Sequence, residues 1–280
     1  MPVSQQRVAV DFNGRLLRNL YAMALTLTLI VMGLFLAKVS APFSDPACQL
    51  VAGADDVAFS LAGSGARVAQ LLMPDDLPNC RDERIARYVY STGVLDSALF
   101  IPLYTILAAL LAWHAGRLLR PTAGLRRSAL PTVLLLIASL VLLTLDYREN
   151  HTVMDLLAMA GQPWLDANSL PNALDEAARQ TRDASLLKWW ASGLWALCLA
   201  YSMRRAASCL APSWARLLAR ACWLILNIAG FLLLVGAALG SSEWIRLGFG
   251  VAALGLPISG AHLLVLYPPH FLLRRMKATG

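Results

Sequence analysis

Apolar and polar positions fall along this chain in long blocks. They do not alternate residue by residue. Six apolar blocks stand out, at about 19–38, 95–114, 129–147, 186–203, 220–240 and 245–267. Each is close to the roughly 20 residues of helix needed to cross a hydrocarbon core. A bilayer accepts only helices and closed barrels, because no water is present there to satisfy a bare backbone. The pattern therefore predicts an all-α fold, a polytopic transmembrane helical bundle of about six spans. Residues 1–18 form a polar lead-in, and 19–280 form a single bundle with two long polar loops, 39–94 and 148–185.

The polar loops carry weaker helical signals. Residues 48–72, CQLVAGADDVAFSLAGSGARVAQLL, are mildly amphipathic, as in a helix lying on the membrane surface or over the mouth of the bundle. MPDDLPNC interrupts it with two prolines, and DERIARYVYSTG leads helically into the second span. The third span is expected to run on to Met159, with Pro163 and Pro171 interrupting the loop beyond it. LDEAARQTRDASLLKWW reads as a helix running into the fourth span, with Trp189 and Trp190 in an interfacial aromatic belt. Only GSSEW joins the last two spans, so they should form a tight hairpin. Pro257 should kink the sixth span, and Asn227 and Ser259 should serve helix packing. Glu243 and Arg246, three residues apart, would form an exposed pair of little energetic weight.

Composition agrees with the pattern. Hydrophobic residues make up 58% of the chain and charged residues 15%, and mean hydropathy is +0.58. Soluble domains run near 45–50% and 25%. The net charge of +7 acquires meaning only from its distribution. Threading the six segments with a cytoplasmic N-terminus gathers Arg7, Arg15 and Arg18, then Arg117, Arg120, Arg126 and Arg127, then Arg204, Arg205, Arg216 and Arg220, then Arg274, Arg275 and Lys277 on one side. Asp11 is the one acid among them. That is the positive-inside signature. It puts both termini in the cytoplasm and reads the basic runs as topology signals rather than nucleic-acid patches. The expected location is a bacterial inner membrane. Pro42 follows the small residues at 39–41 and would block signal cleavage, so the first segment is expected to be a retained anchor.

The cysteines divide by side. Cys48 and Cys80 share the first outer loop, where an oxidising compartment favours a disulfide worth about 2–4 kcal/mol; two free thiols are the alternative. Cys198, Cys209 and Cys222 lie in spans or on the inner side. No spacing matches a metal motif, and no cofactor is expected.

Threading also brings distant polar residues to one depth. Asp96 opens the second span, Asp146, Glu149 and Asn150 close the third, and Lys188 opens the fourth. Asp146, Glu149 and Asn150 are related as i, i+3 and i+4 and share a face, whereas Arg148 and His151 point elsewhere. Asp96, Phe100 and Tyr104 form a stripe, with Tyr104 about 12 Å deeper by helical rise. A carboxylate facing lipid costs about 2.5–3.5 kcal/mol at mid-bilayer, so these groups belong on the inner face, where Lys188 can pair with Asp146 or Glu149. His114, His262 and His270 are expected as interfacial or packing residues.

The stretches LDSALFIPLYTILAALL, LLTLDYREN and ASLLKWW resemble an uncharacterised group of bacterial integral membrane proteins. That group has an Asp-x3-Phe-Ile-Pro-x-Tyr-like second span, a D-x-x-E-N end to the third, and a Lys opening the next. The matching positions are Asp96, Phe100, Pro102, Tyr104, Asp146, Glu149, Asn150 and Lys188, within roughly residues 20–205. The resemblance implies a site at these residues and no particular reaction. Three readings stay open. In the first, the cluster is a clamp between helices. In the second, Asp96, Tyr104, Asp146, Glu149, Asn150 and Lys188 bind a small molecule or lipid headgroup, with or without proton coupling. In the third, a carboxyl group acts as acid or base in an intramembrane lipid hydrolase. The bilayer is the expected partner and nucleic acid is not; oligomeric state is left open.

Overall fold

The structure is a computed structural model, and it describes residues 3–36, 48, 56–73, 80–165, 168–207 and 213–267. The cleavage-like stretch at 39–42, Pro74, Pro78, Cys209, His270, Arg274, Arg275 and Lys277 lie outside these residues. Among the described residues there is no strand. The helices in chain order are α1 (Val3–Leu36), α2 (Asp56–Ser60), α3 (Gly65–Leu72), α4 (Arg81–Val89), a π-helical stretch Tyr90–Phe100, α5 (Ile101–Ala160), α6 (Leu170–Ala207), α7 (Ser213–Leu239) and α8 (Ser242–Leu266).

Five helical segments are long and apolar enough to cross a membrane: Gly14–Gly33, Arg81–Leu118, Ala129–Ala160, Trp214–Leu239 and Ser242–Leu264. The chain is a multi-pass membrane protein. The expected fourth span, 186–203, is absent from this set for a chemical reason: Lys188, Trp189, Trp190, Ser192 and Trp195 dilute its apolar residues. Its helix is nevertheless long, since α6 has 38 residues.

Helical geometry continues through the whole of α5, yet α5 is not straight. Asn150 Nδ2 donates to Asp96 Oδ2 at 2.8 Å, whereas 54 residues of straight helix would part them by about 80 Å. The chain reverses between Gly116 and Thr132, which lie against each other, and the connection between spans two and three keeps helical geometry throughout. Close approaches then fix each direction. Tyr147 Oη donates to Ser97 O at 3.0 Å, and Gly116 lies against Thr132, so the two arms of this hairpin are antiparallel. Thr181 Oγ1 donates to Thr152 O at 3.2 Å, and Trp195 Nε1 to Ser139 Oγ at 3.1 Å. The two intervals rise by almost the same amount, about 20 Å, so α6 runs antiparallel along the second arm of α5.

Small residues let α6 and α7 touch. A Cβ at Gly230 would stand 2.9 Å from Gly193 O, and one at Gly193 would stand 3.0 Å from Gly230 O. Membrane helices, lacking a hydrophobic drive toward each other, associate through such close backbone packing. Gly240, at φ 60°, turns the chain from α7 into α8 as the short GSSEW connection requires. Leu134, Ile137, Leu140, Leu194, Leu224 and Phe231 remain largely exposed, as suits helices surrounded by hydrocarbon.

One end of the bundle is capped. The described part of the amphipathic 48–72 region, residues 56–72, forms two short helices, because Gly63 adopts φ 68° between them and Ser64 caps α3 by accepting from Arg67 N. Phe59 stacks on Tyr88 with ring centroids 4.3 Å apart. The buried Arg84 donates to Leu71 O at 2.7 Å, and Cys48 is bonded to Cys80. Gly65 N donates to Asp175 Oδ1 at 2.9 Å, which pins α3 to α6. Beside a smaller cluster of Leu61, Trp189, Leu233, Ala237 and Ile245, two large apolar cores result. One, around Phe59, Leu72, Leu156 and Leu174, fills the cap; the other, around Leu17, Leu111, Leu199 and Leu263, fills the opposite end.

Candidate functional site

Between those two cores lies a polar layer. Asp146, Glu149 and Asn150 are 6%, 3% and 5% exposed, all on the second arm of α5. Across from them α6 presents Lys188. Its Nζ lies 3.0 Å from Asp146 Oδ1 and in contact with Glu149 Oε2. It also sits 4.4 Å from the centre of the Trp189 ring. Asn150 Nδ2 reaches the first arm, donating to Asp96 Oδ2 and to Ser97 Oγ at 2.9 Å. The i, i+3, i+4 spacing thus does what the sequence suggested and brings three helices together at one level. Arg148 and His151 face outward, and His151 Nε2 lies 3.6 Å from Asp155 at the exposed surface.

The sequence hid the local geometry that places Asp96. Residues Tyr90–Phe100 form a π-helix, in which Ile101 N donates to Asp96 O, five residues back, and Ser97 Oγ donates to Thr92 O at 2.7 Å. Pro102 supplies a cause: it has no N–H, and its ring crowds the carbonyl four residues back. A wider turn just before it removes the conflict. π-Helical turns inside α-helices occur often at functional sites. The stripe from Phe100 to Tyr104 is back in α-helical spacing, with ring centroids 5.3 Å apart.

Asp96, Tyr104, Asp146, Glu149, Asn150 and Lys188 all line a single cavity of about 480 Å³. Its other walls are mostly apolar and include Leu107, Ala108, Leu111, Leu226 and Leu256. The polar groups lie toward the cap, and the apolar walls continue toward the opposite end. Two hydrogen-bonding groups on the wall, Tyr104 Oη and Trp189 Nε1, are buried and have no partner among the described residues. Trp189 is 8% exposed and lines the cavity, so it does not face outward as a belt residue would; its neighbour Trp190 is 41% exposed.

Several lining residues were not foreseen as part of a site. Asp56 lines the cavity from α2 and accepts from Ser91 Oγ at 2.6 Å. Arg246 lines it from α8 and donates to Ser242 O and Ser242 Oγ, each at 3.2 Å. The spacing from Glu243 to Arg246 suggested only a surface pair, because nothing in the local sequence reveals which face of α8 meets the bundle. Ser259, expected as packing, also reaches the wall and lies 3.5 Å from Cys222 Sγ. Asn227 bonds within its own helix, donating to Trp223 O at 2.8 Å.

Chemically the cavity is an amphipathic container. Four carboxyl groups, those of Asp56, Asp96, Asp146 and Glu149, and two cationic side chains, Lys188 and Arg246, line it. The acidic excess suits a cationic head or hydroxyl donors. Among the described residues there is no group of three or more His, Cys, Asp or Glu arranged to hold a metal ion. In comparisons with known proteins, no family model, no curated protein and no solved structure matches the chain.

Proposed function

We propose that this membrane protein binds an amphiphile, with a cationic or hydroxyl-bearing head in the polar layer and an apolar tail in the shaft beyond it. The observation that carries this reading is the shared cavity, about 480 Å³, with Asp96, Asp146, Glu149, Asn150 and Lys188 toward its cap end and mostly apolar side chains, aliphatic and aromatic, over the rest of its wall. Its size falls within the roughly 300–1,000 Å³ common to small-molecule sites. Tyr104 Oη and Trp189 Nε1 support it, since a buried donor without a partner costs about 1–3 kcal/mol that a ligand acceptor would recover. Ionisable groups at membrane depth are functional candidates by default.

Filling the shaft tests the reading without touching the polar layer. Ala108→Trp places an indole among the apolar walls, and Ala253→Phe does so from α8. Native mass spectrometry of the purified protein should find a retained amphiphile in the wild type and its loss in both variants. An identical set of retained molecules in all three proteins contradicts the reading.

The same layer is also a clamp, and one observation favours that role: Lys188 engages two carboxylates of the neighbouring helix at once. Clamp and site are compatible, because the side chains that join the helices also form the head end of the cavity.

We place the protein in a bacterial inner membrane with the cap facing outward and both termini in the cytoplasm. The Arg residues 117, 204, 205, 216 and 220 all lie at the end of the bundle away from the cap, as the positive-inside rule requires, and the long α6 completes a sixth crossing. A cysteine replacing Asp183 should react with an impermeant maleimide added to intact spheroplasts; protection until the membrane is broken would reverse the orientation.

A further inference from the structure

A second buried polar feature lies away from the head group site. His114, on the first arm of α5, and His262, on α8, are both 0% exposed. His114 Nε2 lies 3.2 Å from His262 Nδ1, and the ring centroids are 5.2 Å apart. The other two nitrogens, His114 Nδ1 and His262 Nε2, are buried with no hydrogen-bond partner among the described residues. Both rings sit just past the cavity floor. Leu111 and Ser259 line that floor, and each histidine comes three residues after one of them, about 4.5 Å further along its helix.

We propose that His114 and His262 form a two-residue proton relay between the bundle end opposite the cap and the floor of the cavity. The chemistry rests on imidazole tautomers. A neutral ring has one N–H donor and one bare acceptor nitrogen. One N–H is used between the rings, whichever ring supplies it. The pair therefore always presents a donor at one outer nitrogen and an acceptor at the other.

A proton taken up by the acceptor end makes that ring a double donor. The shared proton passes along the 3.2 Å N···N contact to the second ring, which releases its own outer N–H proton. One proton enters, one leaves, and no electrons move. The rings are left in the opposite tautomer, and ring flips restore the first. A pair that merely joined α5 to α8 would gain nothing from two buried nitrogens left unpaired. Histidine can carry protons in this way because its ring has two nitrogens, one able to take up a proton while the other releases one.

The surroundings give the relay two ends. Toward the bundle end, the Tyr267 ring lies 6.4 Å from that of His114, the Arg117 guanidinium sits 5.6 Å over the same tyrosine, and Arg18 Nη1 donates to Tyr267 O at 2.6 Å. Toward the cavity, α7 supplies Cys222 beside Ser259, and α1 supplies Tyr21, whose hydroxyl donates to Leu256 O at 2.9 Å. Beyond the floor the cavity leads to Asp146, Glu149 and Asp96. The relay does not depend on which amphiphile the cavity holds.

The test uses the full chain in proteoliposomes loaded with pyranine, with a valinomycin-set potassium potential driving protons inward. The wild type should acidify the lumen faster than protein-free vesicles. His114→Gln and His262→Gln, which can hydrogen-bond but cannot relay, should each fall to the protein-free rate. His151→Gln, altered at an exposed ring, should match the wild type. Unchanged flux in both relay variants, or wild-type flux no faster than protein-free vesicles, overturns the proposal. Nitrogen-15 spectra of the histidine-labelled wild type supply a readout that needs no variant to fold. Both tautomers in exchange are expected for the pair, and one frozen tautomer would also overturn it.

Discussion

Lys188 is the residue on which the polar layer turns. It is the ammonium that Asp146 and Glu149 share, and its side chain is only 11% exposed. Replacing it by alanine leaves two buried carboxyl groups without their cation. Removing one partner of a buried ion pair costs about 3–5 kcal/mol, so Lys188→Ala should lower the thermal midpoint in detergent, followed by tryptophan fluorescence, by many degrees. The triple variant Asp146→Asn, Glu149→Gln, Lys188→Met should regain much of that loss, because neutral partners need no counter-charge. A single variant as stable as the wild type would show that the layer carries little of the packing between α5 and α6. Most of the layer was legible in the sequence: the helical spacing of Asp146, Glu149 and Asn150 and the threading of the spans suffice to bring Lys188 and Asp96 beside them. Arg246 and Asp56 were not, because their approach depends on how α8 and α2 rotate against the bundle.

Among the elements, the docking of α3 on α6 is a polar joint outside the membrane-spanning segments. Asp175 accepts from Gly65 N and from Arg179, 2.5 Å away. The Gly65 hydrogen bond first, and the Arg179 charge after it, hold the Asp175 carboxyl below its ordinary range. Glu176 is held low as well, by its hydrogen bonds from Arg179 and Gln180. A carboxylate whose titration is depressed on folding contributes stability that is fully present above its unfolded value, near pH 4, and is lost as pH falls through the lower folded value. The difference in thermal midpoint between wild type and Asp175→Asn should therefore be constant near neutrality and shrink on acidification below about pH 4. A difference that persists unchanged into strong acid would mean that the joint is held by packing alone. Element boundaries were less legible than the elements themselves. The pattern of 48–72 has the amphipathicity of one helix, but Gly63 at positive φ breaks its described part, 56–72, into two. The π-helix at Tyr90–Phe100 left no periodic trace either, since its cause is a single downstream proline. Trp189 and Trp190 are indistinguishable in sequence, and only the face of α6 separates the buried one from the exposed one.

At the scale of the whole molecule, the fold is a set of antiparallel helices with a polar layer held between two apolar cores. That arrangement explains why the cavity has one polar end and one apolar end. The cap core closes over the carboxylates, while the shaft continues beside Leu107 and Leu111 toward the second core. Hydropathy alone foretold the bundle, because a bilayer leaves few alternatives. It could not foretell the cavity, which depends on side chains from several separate segments failing to fill the space between them, nor the His114–His262 contact across 148 residues. Amphiphile binding is tested most directly by photolabelling the reconstituted protein with a single-chain aliphatic amine carrying a diazirine near the end of its tail, with the labelled sites mapped by mass spectrometry. Adducts are expected on Leu107, Ala108, Leu111 or Leu256, competed away by excess unlabelled amine. Adducts confined to the outer faces of the helices, such as Ile137, Leu140 and Leu194, and insensitive to competitor would contradict it.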